Sequence, residues 1–298
     1  MQISVVIPTY NYGRSLLRAV ASIINQADND FEILIVDDGS IDDTPELVAP
    51  LIEAYPDVVH YIQQINRGPA AARNRGIQIS KGEFILFLDA DDQLCPDVFP
   101  AIRQFLVAHP DAEFVLGGHI SVTNDGVEKY HSAAHLPMER EQRFKKYISG
   151  NLSISHGCSI SHRKIFDRLS YPEEFQATED IPVFAQSLAL FESARLDIPF
   201  ARIEKHADSL RHQVKFVKSA GLDVVDAVFN PSILPKQLMT YRSKFLARRA
   251  LSLFRTCYLN AEYLEADHFY RLAMRQDPAL MTRWSYLTKY LKMKFQRT

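Results

Sequence analysis

The sequence predicts an α/β fold: a mostly parallel β-sheet flanked by helices, with a helical segment at the carboxy terminus. Four short runs rich in Val, Ile and Phe, at residues 3–7, 31–36, 58–63 and 84–88, have the character of buried parallel strands. Helical patterns separate them at residues 16–25, 44–54 and 70–79. This βαβαβαβ alternation predicts right-handed crossovers and therefore parallel strands.

The pattern is less regular after the fourth run. It predicts a helix at residues 96–108, a strand at 114–118, a two-stranded stretch around Gly126 and mixed elements up to residue 230. Residues 236–298 predict three helices. In these helices four residues fall at the spacing of the second helix of a tetratricopeptide repeat, although an amphipathic helical hairpin gives the same pattern. They are Ala266, Tyr270, Ala273 and Pro278.

The formal net charge of −2 conceals an asymmetry between the two ends of the chain. Residues 236–298 hold 13 Lys and Arg against 4 Asp and Glu, so the last segment carries +9 and the rest −11. A basic amphipathic end that contacts an anionic bilayer is one explanation, and a solvated helix face is the other. The residues concerned are Lys289, Tyr290, Leu291, Lys292, Met293, Lys294, Phe295 and Arg297.

Three features favour a cytoplasmic protein. The amino terminus has no basic region, and its apolar run ends at Pro8, unlike a secretory signal. No apolar stretch approaches the roughly 20 residues of a membrane span. The odd number of distant cysteines, Cys95, Cys158 and Cys257, argues for a reducing compartment.

Polar residues follow each of the four predicted strands. Because ligands of parallel sheets bind beyond the carboxyl ends of the strands, these residues predict a single cleft. The four groups are Thr9-Tyr10-Asn11, Asp37-Asp38-Gly39-Ser40, Asn66-Arg67-Gly68 and Asp89-Ala90-Asp91-Asp92.

Asp89 and Asp91 come after the most apolar strand, where carboxylates are costly unless a cation faces them. Mg²⁺ or Mn²⁺, held by one or two carboxylates and the oxygens of a diphosphate, fits this pattern and would assist a departing nucleoside diphosphate. A surface loop or a helix cap is the alternative.

The second and third polar groups suit a nucleotide. A carboxylate of the pair Asp37-Asp38 can accept a hydrogen bond from a base, such as the N3–H of uracil, while Tyr10 packs on the ring. The same residues also suit a turn that caps the next helix. Among Arg67, Arg73 and Arg75, at least one is expected to face the nucleotide as a fixed donor, unless they only decorate a surface helix.

Two further segments carry chemistry-bearing residues. Glu179 and Asp180 precede an apolar helix, whose N-terminus keeps carboxylates ionised, as a general base requires; a helix-capping pair is the alternative. His206 or His212 could complete a metal shell and Arg211 could face a diphosphate, unless they form a surface loop. The spacing of His156, Cys158 and His162 matches no usual zinc site.

Together these motifs resemble a family 2 glycosyltransferase with the GT-A (Rossmann-like) fold. Five motifs stand in the family's order over about residues 1–215. They are Val5-Val6-Ile7-Pro8-Thr9-Tyr10-Asn11, Ile35-Val36-Asp37-Asp38-Gly39-Ser40, Asn66-Arg67-Gly68 with Ala72-Arg73-Asn74-Arg75-Gly76, Leu88-Asp89-Ala90-Asp91-Asp92, and Glu179-Asp180.

The resemblance implies inverting, metal-dependent transfer of a sugar from a nucleotide-diphosphate donor, with a UDP-sugar expected, to a hydroxyl acceptor. It also implies a role for each matching residue. Pro8, Thr9, Asp38 and Arg73 would hold the nucleobase, and Tyr10 and Asn66 would also bind the nucleotide-sugar donor. Asp89 would bind the ribose or the donor sugar, Asp91 the metal, and Asp92 sugar hydroxyls. Asp180 would be the general base that deprotonates the acceptor.

The sequence departs from the family pattern at two places. The counterpart of a Tyr-Arg-x-His-like stretch is Ile203-Glu204-Lys205-His206, which leaves His206 and His212 as rival metal ligands alongside a donor-side Arg211. A Gln-x-x-Arg-Trp sequence is missing, and the only tryptophan is Trp284. The resemblance therefore implies single additions by a hexosyltransferase rather than processive synthesis.

The expected organisation is a catalytic domain at residues 1–230, with a nucleotide-sugar half (1–95) and an acceptor half (96–230), and a helical extension at 231–298. The expected setting is bacterial polysaccharide or glycoconjugate biosynthesis, with Mn²⁺ or Mg²⁺, a glycan or lipid-linked acceptor, peripheral contact with the plasma membrane's inner face, and no nucleic acid. A catalytically silent scaffold of a glycan-assembly complex and a sugar-phosphate nucleotidyltransferase remain alternatives.

Overall fold

The computed structural model describes residues 1–27, 30–123, 125–205, 218 and 220–295. The strands of these described ranges belong to one sheet. They are β1 (Ile3–Thr9), β2 (Phe31–Asp37), β3 (Val59–Gln63), β4 (Phe84–Phe87), β5 (Gln93–Leu94), β6 (Phe114–Val122), β7 (Glu128–His131), β8 (Ser159–His162) and β9 (Ser193–Glu204).

The sheet has the order β3-β2-β1-β4-β8-β6-β9-β5, and β7 pairs with the outer part of β6. The four amino-terminal strands are mutually parallel, as are β6 and β9. The pairings of β8 with β4 and β6, of β5 with β9 and of β7 with β6 are antiparallel. The predicted α/β sheet is confirmed, including its four parallel strands at the amino terminus.

Helices cover the sheet and continue into the carboxy-terminal segment. They are α1 (Gly13–Ile24), α2 (Thr44–Ala54), α3 (Pro69–Ile79), α4 (Val98–Ala108), α5 (Arg140–Ile148), α6 (Asp180–Leu190), α7 (Asp223–Val228), α8 (Arg242–Leu259), α9 (Tyr263–Gln276) and α10 (Trp284–Phe295). Short 3₁₀ helices occupy His156–Cys158, Arg163–Asp167, Lys236–Tyr241 and Pro278–Thr282.

The central strands bury side chains on both faces of the sheet. Val5 and Ile33 belong to a hydrophobic cluster with α1, α2 and α4, whereas the next residues, Val6 and Leu34, pack with α3 and α6. Successive residues of a strand point to opposite faces, so strands covered on both sides read as unbroken apolar runs. This double burial leaves the strand ends as the place for polar side chains.

Helix α3 lies unusually close to the sheet. A Cβ at Gly76 would overlap the side chain of Val6 on β1, so glycine is required for this packing. The close approach sets the height of α3 above the strand ends and therefore the position of Arg73, one turn earlier on the same helix.

Helix α8 connects the α/β region to the last helices. Phe245 packs in a cluster with Phe144 of α5 and Val225 of α7, while Ala250 and Phe254 face α9 and α10. The residues of the repeat-like pattern on α9 are buried against α8, which suits both explanations of that pattern. In the described ranges, no helix combines the length and apolar character needed to cross a membrane.

Several residues of the predicted basic amphipathic end are packed or paired within the protein, so fewer of them are exposed than the sequence predicts. Met293 is fully buried, Tyr290 stacks on Tyr270 with ring centroids 3.9 Å apart, and Lys294 forms an ion pair of 2.6 Å with Asp267. Leu291, Lys292 and Phe295 are exposed, and Lys289 is partly so; Arg297 lies outside the described residues.

Candidate functional site

The ends of the parallel strands meet as the sequence predicts. Thr9 and Asp37 are partners in the β1–β2 register, and the backbone N–H of Asp38 donates to the carbonyl of Thr9 at 2.9 Å. The backbone N–H of Gln64 donates to the carbonyl of Asp37 at 2.9 Å. The loops after β1, β2 and β3 therefore lie side by side at one edge of the sheet.

Asp37 and Asp38 have different surroundings. Asp37 is fully buried and accepts hydrogen bonds from the backbone N–H of Ser40 and from the hydroxyl of Tyr61. Burial and this carboxylate raise the pKa of Tyr61. Asp37 is thus committed to shaping the turn, which leaves Asp38 as the member of the pair that can serve a ligand.

Asp38 fastens the loop before α3 to the end of β2. Its carboxylate accepts hydrogen bonds from Nε2 of Gln64 at 2.8 Å and from the backbone N–H groups of Arg67 and Gly68 at 2.9 and 2.7 Å. A carboxylate offers about four lone-pair positions, so one acceptor position is left for a ligand N–H.

The other residues predicted to bind the nucleotide-sugar donor lie at the same edge of the sheet as this carboxylate. Pro8 and Thr9 end β1, and the hydroxyl of Thr9 is buried without a hydrogen-bond partner in the described part of the chain. Tyr10 is 43% exposed beside it, and Asn66 is exposed after β3. A buried hydroxyl without a partner, next to an exposed aromatic ring, is consistent with a ligand pocket at this edge.

Arg73 is the centre of the site. Its guanidinium is buried and donates to Glu179 Oε1 through Nη1 at 2.7 Å and to Asp89 Oδ1 through Nη2 at 3.0 Å. The adjacent carboxylates raise the pKa of Arg73 despite its burial. One arginine therefore joins the acidic group after β4 to the acidic pair that begins α6.

These contacts bear on the predicted role of Arg73. Both Nη groups are engaged by carboxylates, so the geometry favours Arg73 as the residue that positions Asp89 and Glu179. Contact between Arg73 and the nucleobase of the donor stays a prediction. Of the neighbouring arginines, Arg67 is exposed and pairs with Glu173, and Arg75 is exposed on α3.

Tyr171, His156 and Asn74 support the arginine. The guanidinium carbon of Arg73 lies 5.7 Å from the ring centroid of Tyr171, whose hydroxyl is 3.1 Å from Nε2 of His156. Asn74 holds Tyr171 by two backbone hydrogen bonds of 2.8 and 2.9 Å. Burial and the charge of Arg73 lower the pKa of His156, so this imidazole is neutral near pH 7.

No sequence motif predicts this support. In the sequence His156 stands out only through its spacing to Cys158 and His162, which matches no usual zinc site. In the structure Nε2 of His156 is hydrogen-bonded to the hydroxyl of Tyr171, and Nδ1 of His162 accepts from the backbone N–H of Lys164. Tyr171 stands in no recognisable motif. The pair Arg73-Asn74 on α3 was the one available signal that this helix faces a polar partner.

Asp180 lies at the start of α6 and is partly buried. Burial and the charge of Glu179 raise its pKa to about 7, while the positive charge of Arg73 opposes that rise. A carboxylate with a pKa near 7 can accept a proton at neutral pH and give it up again.

Asp89, Asp91 and Asp92 place three carboxylates within four residues after β4. Asp92 is buried, and its Oδ1 accepts the backbone N–H of Glu204 at 3.2 Å. Burial and the charges of Asp89 and Asp91 raise the pKa of Asp92 to about 9. The clustering of the three residues thus disfavours the ionised form of Asp92, while Arg73 pairs with Asp89.

This donor set fits a hard divalent cation. In the described ranges the three carboxylates do not converge into a cage of three ligands. Mg²⁺ commonly uses one or two protein carboxylates and takes its other ligands from substrate phosphates and water, so an open arrangement suits it. His206, Arg211 and His212, predicted for the metal and the diphosphate, lie outside the described residues.

A second acidic group lies elsewhere and has another explanation. Cys257, Glu262 and Glu265 come together between α8 and α9. The ammonium of Lys218 pairs with both glutamates, at 2.9 and 2.5 Å, and so already supplies the positive charge.

Comparisons with known proteins identify the family and the fold. The model of the family "Glycosyl transferase family 2" matches residues 4–170. An uncharacterized glycosyltransferase of Nostoc is 47% identical over 92 residues, which cover 31% of this chain and 29% of that protein. A GalNAc(5)-diNAcBac-PP-undecaprenol beta-1,3-glucosyltransferase of Campylobacter jejuni is 28% identical over 179 residues, covering 60% and 57%. The chain thus matches 29% and 57% of the length of these two relatives, less than two thirds in each case.

Two solved structures have the same fold. S. aureus TarS 1-349 in complex with UDP-GlcNAc is 20% identical with a TM-score of 0.71, covering 98% of this chain and 89% of that one. The mannosyltransferase PcManGT of Pyrobaculum calidifontis, in complex with GDP-Man and Mn²⁺, is 18% identical with a TM-score of 0.57, covering 99% and 84%. These likenesses confirm the GT-A fold. The family model matches more than half of the length of this chain, and the chain therefore belongs to glycosyltransferase family 2.

Proposed function

We propose that this protein transfers a sugar, with inversion and with the help of Mg²⁺ or Mn²⁺, from a nucleotide-diphosphate donor to a hydroxyl acceptor. The observation that carries the proposal is the bridge from Asp89 through Arg73 to Glu179, because it joins the acidic group after β4 to the residue that precedes Asp180. The donors bound by the two structural neighbours, UDP-GlcNAc and GDP-Man, support it.

The donor would lie across the ends of β1 and β2. Asp38 has one acceptor position left for the N3–H of uracil, and Tyr10 offers an exposed ring for stacking. At the same edge, the hydroxyl of Thr9 has no hydrogen-bond partner within the described part of the chain. Pro8 and Asn66 would complete the walls. Asp89, fixed by Arg73, would accept hydrogen bonds from the ribose or the donor sugar, and Asp92 would orient sugar hydroxyls.

Asp91 would hold the divalent ion together with oxygens of the diphosphate, with His206, His212 and Arg211 as further candidates. When bound, such an ion stabilises the negative charge of the leaving nucleoside diphosphate. The Mn²⁺ of the mannosyltransferase neighbour and the open carboxylate group after β4 support this part of the proposal.

The reaction would be a single displacement at the anomeric carbon. The acceptor oxygen forms a bond to that carbon while the bond to the diphosphate oxygen breaks, and the hydroxyl proton passes to Asp180. Attack opposite to the leaving group inverts the anomeric configuration. Asp180 suits the task because its pKa, near 7, matches the working pH of a general base.

The acceptor and the location are proposed from the named relatives and from the exposed residues of α10. Residues 1–95 would bind the donor, 96–230 the acceptor, and 231–298 would form an extension. The undecaprenol-linked substrate named for the Campylobacter relative supports a lipid-linked glycan, in polysaccharide or glycoconjugate biosynthesis. Exposed Trp284, Leu291 and Phe295, next to Lys292, would contact the inner face of the plasma membrane.

The test is release of nucleoside diphosphate from UDP-, GDP- and dTDP-sugars with Mn²⁺ or Mg²⁺, comparing the native chain with Asp91→Ala and Asp180→Asn. We expect Asp180→Asn to lower kcat by about 10²–10⁴-fold, the usual contribution of a general base, while calorimetry still detects donor binding. Asp91→Ala should lose stimulation by metal. NMR of the product reports the anomeric configuration.

Asp111→Asn, at an exposed position between α4 and β6, is the matched control and should keep native activity. Equal turnover by native protein and Asp180→Asn would contradict the assignment of the base. Pyrophosphate as the product would indicate a nucleotidyltransferase. Tight binding of a glycan-assembly protein without turnover of any donor would favour the scaffold.

A further inference from the structure

A cavity of about 270 Å³ lies between α5, α6 and α8. Ile181, one of its lining residues, directly follows Asp180 in the chain. Tyr147 also lines the cavity, and the charge of Asp180 adds to the effect of burial in raising the pKa of Tyr147. The cavity therefore starts one residue after Asp180 on α6, and one of its lining residues is close enough to be affected by the charge of that carboxylate.

The walls of the cavity differ in polarity. One part is apolar, whereas α8 contributes Arg248, Arg249 and Ser252. A molecule with both an anionic and an apolar portion complements such a lining. The apolar residues are Ile148, Leu152, Ile154, Ile181 and Phe245.

Arg248 is held in place by neutral groups. Its Nη1 donates to the carbonyl of Ile148 at 2.7 Å, and it forms no ion pair with any residue of the described ranges. Burial and the positive charge of Arg283 lower the pKa of Arg248. A partly buried cation without a nearby carboxylate is unfavourable, and a bound anion would offset that cost.

Arg249 adds a second positive charge to the same wall. Its Nε donates to the carbonyl of Gly221 at 2.9 Å, and burial lowers its pKa to about 10, so it is still charged at pH 7. Two guanidinium groups, fixed by backbone carbonyls from different segments, thus border one cavity.

Gly150 makes room for the guanidinium of Arg248. It has a positive φ of 70°, and a Cβ at this position would overlap Nη2 of Arg248. The positive φ favours glycine at this residue, and the guanidinium of Arg248 packs directly against it.

We propose that this cavity binds a phosphoryl group of the acceptor substrate through Arg248 and Arg249, and so holds the acceptor hydroxyl close to Asp180. The proposal rests on the transferase function given above and names the acceptor class. A phosphate monoester carries nearly two negative charges at pH 7, which two guanidinium groups match. The planar N–H pairs of arginine bind phosphate oxygens in a bidentate manner.

Two kinds of acceptor share this chemistry: a glycan linked to a lipid through a diphosphate, and a soluble sugar phosphate or phosphodiester. The probes are dodecyl phosphate below its micelle concentration, inorganic phosphate, and uncharged dodecyl glucoside. Each is titrated by calorimetry into the full chain with UDP present, so that the donor's own diphosphate site is filled.

We expect Arg248→Gln to raise the Kd for dodecyl phosphate about tenfold or more, the effect of losing a charged hydrogen bond. Arg248→Lys should have a smaller effect. Lys244→Gln, exposed one turn earlier on α8, is the matched control and should change the Kd less than twofold. Circular dichroism checks that each variant folds. If Arg248→Gln does not fold, the variant Gly150→Ala is used in its place, because the added Cβ displaces the guanidinium of Arg248.

Unchanged affinity in Arg248→Gln, or binding of dodecyl glucoside as tight as that of dodecyl phosphate, would overturn the proposal. Tighter binding of dodecyl phosphate than of inorganic phosphate supports the lipid-linked source, and equal binding supports the soluble one. Phosphate binding that depends on Arg248, in a protein that turns over no nucleotide sugar, would contradict the transferase function and leave the phosphoryl site standing.

Discussion

The two sides of the cleft are held by different kinds of contact. On the proposed donor side, Asp38 binds backbone N–H groups about 30 residues away, in the loop after the neighbouring strand. On the proposed acceptor side, Glu179 is held by the side chain of Arg73 over 106 residues, and Tyr171 by that of Asn74 over 97. The proposed donor side is thus built by the regular ends of parallel strands, and the proposed acceptor side is held by a buried side-chain network.

This difference predicts how each side responds to mutation. Backbone groups at a strand end remain in place when one side chain is removed, because the sheet still positions them. A buried network of charges has no such support, since loss of one member leaves another charge without a partner.

The largest effect is expected for Arg73→Ala. It leaves Glu179 buried without its cation, so we expect a loss of about 3–5 kcal/mol in the free energy of unfolding, measured with urea. Arg67→Ala, which breaks the exposed pair with Glu173, should cost at most about 1 kcal/mol. The double variant Arg73→Ala/Glu179→Gln should recover part of the loss. A cost below about 1 kcal/mol for Arg73→Ala would show that the network does not hold the acceptor side.

Asp38→Ala should have an intermediate effect. It leaves the donors of Gln64, Arg67 and Gly68 without an acceptor, which costs about 1–3 kcal/mol. UDP should also bind more weakly by calorimetry. Asp43→Ala, exposed before α2 and without a side-chain cap bond, is the control and should lie within about 0.5 kcal/mol of native. If Asp38→Ala binds UDP with native affinity, Asp38 does not bind the nucleobase.

The smallest expected effect is that of pH on turnover. A general base must be ionised, and the pKa of Asp180 is raised to about 7, so kcat/KM should fall about tenfold from pH 8 to pH 6. Because the charge of Glu179 contributes to that rise, Glu179→Gln should move the acidic limb to lower pH. If the acidic limb lies at the same pH in the native protein and in Glu179→Gln, ionisation of Asp180 does not control the rate.

The sequence by itself determined the donor side of this protein. Apolar runs of strand length, each followed by polar residues, specify parallel strands with a cleft at their ends, because both the burial pattern and the turn chemistry are local. The positions of Asp38, Asp89 and Asp91 follow from that pattern. Acidic residues before an apolar helix also marked Asp180 as a candidate.

Only the tertiary structure decided what surrounds Asp180. The bridge through Arg73, its support by Tyr171 and His156, and the cavity shared by Ile181 and the arginines of α8 all join residues far apart in sequence. Such contacts depend on how the helices pack on the sheet, which no local pattern specifies. The basic tail illustrates the same limit: helical spacing marked Tyr290, Met293 and Lys294 as one amphipathic face, yet packing on α9 turned these side chains inward.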